Sequence, residues 1–245
     1  MRTIRRVYFY AVALISLEVV LWGLISLLRT MFAQDVLFPT ADTLSQALAL
    51  ILVGVPIFLV HWLWAQRAAA SDSEEQTATV RAVFFYLALL FTLVPVVQNF
   101  LALIDRAFIE TVRLDRSSAL FGGSQTWIDN LIAILMNGVA AAYLWNTLRA
   151  SWLSLADREN FADVRRLYRY VWLVYGLLMV VFGAQQVIRF LFFIPEATIL
   201  GASGREMAIN GIALLLVGAP VWLYTWKTCQ DALAEPLEAA SNLRL

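Results

Sequence analysis

Residues 5–28 read Arg-Arg-Val-Tyr-Phe-Tyr followed by AVALISLEVVLWGLISLL, an apolar run broken by one charge, Glu18. The pattern recurs twice. Arg81-Ala82-Val83-Phe84-Phe85-Tyr86 opens a run to Ile104, and Arg165-Arg166-Leu167-Tyr168-Arg169-Tyr170 opens one to Phe193. Each run is about 20 residues, which at a helical rise of 1.5 Å is ~30 Å, the thickness of a bilayer's hydrocarbon core. These are spanning helices. An arginine ahead of a span can snorkel into the headgroups, and a tyrosine there keeps its hydroxyl wet and its ring in hydrocarbon. Arg5, Tyr8, Tyr10, Arg81, Tyr86, Arg165, Tyr168 and Tyr170 therefore read as interfacial anchors. A ligand-binding role for the arginines is the rarer reading.

Composition agrees. Of 245 residues, 61% are hydrophobic and 15% charged, and the mean hydropathy is +0.73; a soluble domain of this length needs more polar surface. The lipid bilayer is the expected partner. A formal net charge of zero gives no basic footprint for nucleic acid, and no zinc, P-loop or dinucleotide fingerprint occurs. No metal site or cofactor is predicted. Cys229 is the single cysteine, so no intrachain disulfide can form. The first span resembles a signal peptide in following Arg2, Arg5 and Arg6, but its apolar run is too long and its pattern recurs at interior positions, so it is expected to be retained.

Three further apolar runs, about Leu44 to Gln66, Trp127 to Leu148 and Met207 to Lys227, lie between and after these spans. Gln46, Ala49, Gly54 and Pro56 correspond to Asn130, Ala133, Gly138 and Ala140, and to Asn210, Ala213, Gly218 and Pro220. The repeat unit is thus a helical hairpin, present over about 5–67, 81–149 and 165–229. The reading is an all-α integral membrane protein: one membrane domain over 1–245, with six transmembrane helices in three repeated hairpins. Successive hairpins enter from one side, so any symmetry axis runs along the membrane normal, and a pseudo-threefold bundle is the natural arrangement. The mid-span glycines would let neighbouring backbones approach, and prolines are tolerated where neighbours re-satisfy carbonyls.

Twelve Lys and Arg residues collect on the side of the termini and six on the other, which places both termini in the cytoplasm. On that side, Ser71-Asp72-Ser73-Glu74-Glu75 reads as a solvated linker. The opposite connections carry apolar residues: Phe32, Val36, Leu37 and Phe38; Phe108, Ile109, Leu120 and Phe121; Ile194, Ile199 and Leu200. These suit interfacial turns or caps on the bundle. Ser203 with Glu206 fits a capping box.

Among polar groups at membrane depth, Glu18 stands out. It lies twelve residues beyond Arg6, ~18 Å down the helix axis, near the midplane. A carboxylate there costs about 2.5–3.5 kcal/mol on insertion scales, so it should face the bundle interior. It could serve a proton, cation or ligand, or simply bond to Asn137 at similar depth. Gln98, Asn99, Gln185 and Gln186, with the repeated amides Gln46, Asn130 and Asn210 and with Asp129 and Arg189 close to their level, would line a polar vestibule if they converged; amides also bridge helices. His61, the only histidine, is flanked by Trp62 and Trp64. It could ligate haem iron or a chlorophyll-type magnesium; a histidine in an interfacial aromatic belt is commoner.

The Arg-x-x-Tyr-x-Tyr opening, the Leu-Val-Gly-x-Pro motif at Leu52–Pro56 and Leu216–Pro220, and His61-Trp62-x-Trp64-Ala65-Gln66 together resemble an uncharacterised bacterial membrane family, domain of unknown function 5671. The middle hairpin departs from it at Phe84 and Ala140. The resemblance implies a bacterial inner-membrane protein and no particular activity. Three hairpins also suggest mitochondrial carriers, but the Pro-x-Asp/Glu-x-x-Lys/Arg motif of their odd-numbered helices is missing from Ile25 to Arg29, Leu101 to Asp105 and Gln185 to Arg189. The expected function is a non-enzymatic scaffold or accessory subunit that meets other membrane subunits or copies of itself. The alternative is a small transporter or ion pathway using Glu18 and the amides. Paired carboxylates, a metal cluster or an activated serine, which an intramembrane enzyme would need, are not apparent.

Overall fold

The computed structural model describes residues 2–32, 41–115, 118–120, 125–155, 159–200 and 203–234. Its elements are α1 (Arg2–Phe32), α2 (Ala41–Ser71), α3 (Ser73–Gln76), α4 (Thr79–Val112), α5 (Trp127–Ser154), α6 (Glu159–Leu200) and α7 (Ser203–Ala232). Six of these helices are long and apolar enough to cross a membrane, and no strand occurs among the described residues. The chain is an all-α, multi-pass membrane protein. Helices overrun the apolar runs because backbone hydrogen bonding continues past the last apolar residue. Thus Phe108 and Ile109, expected in a connection, lie in α4, and Cys229 lies within α7. The connection residues Val36, Leu37, Phe38 and Phe121, and the side chains of Ile194, Ile199, Leu200 and Ser203, lie outside the described residues.

Packing groups the residues into two units: Met1–Val96 with Leu131–Arg165, and Val97–Asn130 with Arg166–Leu245. In the first unit, α1 lies against α2 at two glycines. A Cβ on Gly54 would stand 2.9 Å from Val20 Cγ2, and one on Gly23 would stand 3.0 Å from both Ile51 Cγ1 and Leu50 Cβ. In the second unit, α6 meets α7 more closely still. A Cβ on Gly183 would sit 2.9 Å from the Gly211 carbonyl oxygen, and one on Gly211 would sit 2.8 Å from that of Gly183. Gly218 would meet Met179 Cβ at 2.6 Å. Around this crossing Leu101, Met179, Ala213, Leu214 and Val217 form a buried core, with Leu120 packed on it.

The repeated glycine does not have one role. Gly54 and Gly218 admit a neighbour, whereas a Cβ on Gly138 would meet nothing within 4 Å. Gly138→Ala should therefore remove the helix penalty of glycine without a clash and raise stability by about 0.5–1 kcal/mol, read as a higher SDS midpoint in equilibrium unfolding from mild detergent.

Helix ends are closed by side chains and local turns. Thr126 and Asp129 cap α5 reciprocally: Thr126 N–H donates to Asp129 Oδ2 at 2.7 Å, and Asp129 N–H to Thr126 Oγ1 at 3.2 Å. At the end of α4, Arg113 takes φ 59°. Leu114 N–H then bonds Ile109 O at 3.0 Å and Arg113 N–H bonds Glu110 O at 3.2 Å, the paired pattern of a Schellman stop. Glu206 Oε1 accepts from Ser118 Oγ at 2.6 Å; the box expected with Ser203 rests on a side chain outside the described residues.

Candidate functional site

The densest polar assembly in the first unit surrounds Arg81, which is 4% exposed. Its guanidinium donates to Tyr10 Oη at 3.4 Å, Gln66 Oε1 at 3.1 Å and Ser151 Oγ at 3.2 Å. It also lies 5.3 Å from the Phe85 ring centroid, a cation–π distance. Residues from α1, α2, α4 and α5 are thereby tied to one planar fork. An aromatic cluster packs beside it: Phe84 touches Tyr10, Trp62 and Phe85, and Trp62 Nε1–H donates to Tyr143 Oη at 2.8 Å.

The anchor reading of these residues therefore divides. Tyr10, Arg81 and Tyr86 are each 4% exposed, so they face protein rather than headgroups; a guanidinium with three protein acceptors has no need to snorkel. Tyr8 is 57% exposed. Arg165 lies 4.5 Å from the centre of the Trp152 ring, and Tyr168, half-buried like Tyr170, makes an edge contact with Trp172.

Arg5 and Arg6 meet the segment that the sequence suggested was solvated. Glu75 is 5% exposed, with Oε1 2.9 Å from Arg6 Nε and 3.4 Å from Arg5 Nη2. Two chain features place it there. Asp72 caps α3 by accepting from Glu74 N–H at 2.9 Å, and the one-turn helix swings Glu75 toward α1. Opposed charge in Arg5-Arg6 and Glu74-Glu75 was the legible signal. A cleft of about 370 Å³ opens beside this pair, lined by Arg5, Arg6, Phe9, Tyr10, Trp64, Ala65, Ala68 and Glu75.

In the second unit the polar groups gather near the α4–α5 connection. Asp105, fully buried, accepts from Leu120 N–H at 2.8 Å. Asn210 Nδ2–H donates to Ser118 O at 3.2 Å. Segment 118–120 is thus held to α4 and α7. Asp105 Oδ1, Asn210 Oδ1 and both side-chain polar atoms of Asn130 are buried without a hydrogen-bond partner.

Glu18 is half-buried, with Oε1 buried and unpartnered. The bond to Asn137 does not form. Asn137 Nδ2–H donates instead to Ala133 O of its own helix at 2.8 Å, the acceptor one turn back and always in reach. Of the amides, Gln46, Gln98 and Gln185 are exposed, Asn99 and Gln186 half-buried, and Asn130 fully buried. Gln98 hydrogen-bonds Tyr175. Asp129 serves the α5 cap, and Arg189 is exposed. His61 Nδ1 lies 2.8 Å from Ile57 O, and its ring meets Tyr8 and Phe9. That occupies one of the two ring nitrogens an axial ligand would have available. No group of three His, Cys, Asp or Glu able to hold a metal occurs among the described residues.

The model of the family described as Domain of unknown function (DUF5671) matches residues 6–142 and 166–245. The chain belongs to this family. The match takes in Arg81 with its acceptors Tyr10 and Gln66, Glu75 and the Gly183–Gly211 crossing, while Ser151 falls between its two stretches. No curated protein and no solved structure matches this DUF5671 chain.

Proposed function

We propose that this DUF5671 protein is a non-enzymatic membrane scaffold or accessory subunit, residing in the bacterial inner membrane with both termini cytoplasmic. The observation that carries this reading is where polar side chains inside the spans direct their hydrogen bonds. Ser16 bonds Val12 O, Thr92 bonds Ala88 O, Asn137 bonds Ala133 O and Thr225 bonds Val221 O. Each returns to its own helix, which favours a packed bundle over a polar path. Meanwhile Trp22, Leu52, Leu131, Leu135 and Val139 present apolar surface outward, suited to lipid or partner helices.

A second reading, a small transporter or ion pathway, draws support from the unpartnered Glu18 Oε1 and from Asp105 and Asn130, since buried polar atoms without partners call for a water or an ion. Gentle extraction from the native membrane with a mass-spectrometric census separates the two. Stoichiometric partner chains are expected. A solitary protein that moves a solute or protons in liposomes, with the flux lost in Glu18→Gln, would overturn the scaffold reading.

A further inference from the structure

We propose that the cleft between α1, α2 and α3 binds the phosphate of an anionic phospholipid headgroup. The lining carries two guanidiniums, Arg5 and Arg6, against one carboxylate, Glu75. Glu74, outside the lining, stands 3.7 Å from Arg6 Nη2, so the four groups balance and the attraction for an anion comes from the exposed fork of Arg5. Glu75 holds both arginines through a single oxygen, while each guanidinium offers five N–H donors in a rigid fork suited to phosphate. Arg5 has a side chain 60% exposed and meets Glu75 through Nη2 alone, which leaves other donors of its fork for a ligand. Arg6 Nη2 is buried with no hydrogen-bond partner, its closest carboxylate oxygen being Glu74 Oε2 at 3.7 Å. A phosphate oxygen at the mouth takes up donors that Arg5 leaves free; a lipid with no net charge gains less from the same fork.

The remaining walls fit the rest of such a lipid. Phe9 and Trp64 meet edge to face, with ring centroids 5.5 Å apart, and Trp64 is 54% exposed. Rings of this kind sit where glycerol and the first acyl carbons lie. Ala65 and Ala68 leave the space open, since a larger side chain at either would occupy it. The volume, about 370 Å³, is within the range of small-molecule sites. The placement also suits the ligand: the cleft lies where the arginines precede the apolar run of α1, at headgroup level.

The test uses the full-length protein in mild detergent, titrated with phosphatidylglycerol, with phosphatidylcholine of the same chains, or with sodium phosphate, and read by native mass spectrometry and thermal shift. Phosphatidylglycerol is expected to bind about fivefold tighter than phosphatidylcholine, the scale of one arginine near an anionic headgroup. Arg5→Gln should abolish that preference. Ala68→Leu, which fills the cleft and removes no charge, should weaken phosphatidylglycerol binding by a similar factor; Arg149→Gln, at an exposed site on α5, should leave it unchanged. The proposal is overturned if the two lipids bind alike, or if Arg5→Gln and Ala68→Leu both keep the preference. It is overturned too if inorganic phosphate competes as well as the lipid, which would make the ligand a free anion.

Discussion

Arg81→Met is expected to lower stability by on the order of 3 kcal/mol, read as a reduced SDS midpoint in equilibrium unfolding from mild detergent. Three acceptors on three helices lose their common donor: Tyr10 Oη, Gln66 Oε1 and Ser151 Oγ. Hydrogen bonds to a charged group contribute about 1.5–3 kcal/mol each. Against this stands the cost of keeping a guanidinium at 4% exposure with no carboxylate among those three acceptors, several kcal/mol in a medium of low polarity. Geometry decides the balance, because one rigid fork serves three partners and the Phe85 ring as well. Methionine keeps the volume and removes the charge. Should Arg81→Met equal or exceed the parent, desolvation outweighs the bonds and the assembly is not what holds α1, α2, α4 and α5 together. Arg81→Lys should recover less than half of the loss, since an ammonium is a point donor and cannot span all three acceptors.

Gly211→Val should cost about 3 kcal/mol or more, by the same unfolding measurement. At Gly211 an added Cβ would stand 2.8 Å from the Gly183 carbonyl oxygen, 2.8 Å from Val187 Cγ2 and 3.0 Å from Gln186 Cβ. Backbone cannot rotate aside as a side chain does, so α6 and α7 must separate, and contacts around Met179, Leu214 and Val217 loosen with them. Membrane helices have no hydrophobic drive to re-close such a gap, since lipid tails are as apolar as leucine. A variant that melts with the parent would mean that the crossing is looser than 2.8 Å implies. Beside Gly138→Ala, this makes a paired experiment: one residue type, opposite signs, decided by what lies within 4 Å of the missing Cβ.

The spans were legible because length and apolarity alone determine them, and the hairpin repeat because its marks, such as Gly54 and Pro56 against Gly218 and Pro220, keep their spacing. The burial of Arg81 was not legible. Its local sequence matches that of Arg5 and Arg165, and only the partners Gln66 and Ser151, 15 and 70 residues away, distinguish it. Gly138 fails in the same way: periodicity places a glycine but says nothing of what stands opposite it. Glu75 was hidden by composition, since a Ser-Asp-Ser-Glu-Glu run looks solvated until Arg6 is seen 2.9 Å away. Asp105 was passed over because an acid near a helix end is unremarkable until its full burial is known. What one residue implies by its type was readable; what two distant residues do to each other was not.

The inward-returning bonds of Ser16, Thr92, Asn137 and Thr225 also bear on biogenesis. A helix that satisfies its polar side chains from its own carbonyls can leave the translocon and rest in lipid alone, before any neighbour arrives. Asn130, with both polar atoms buried and unpartnered, and Arg81, whose acceptors arrive on α1, α2 and α5, have no such provision. Arg81 emerges after Tyr10 and Gln66 but some 70 residues before Ser151. For that interval its third acceptor has not been made, so α4 is expected to leave the insertion machinery only once α5 has arrived.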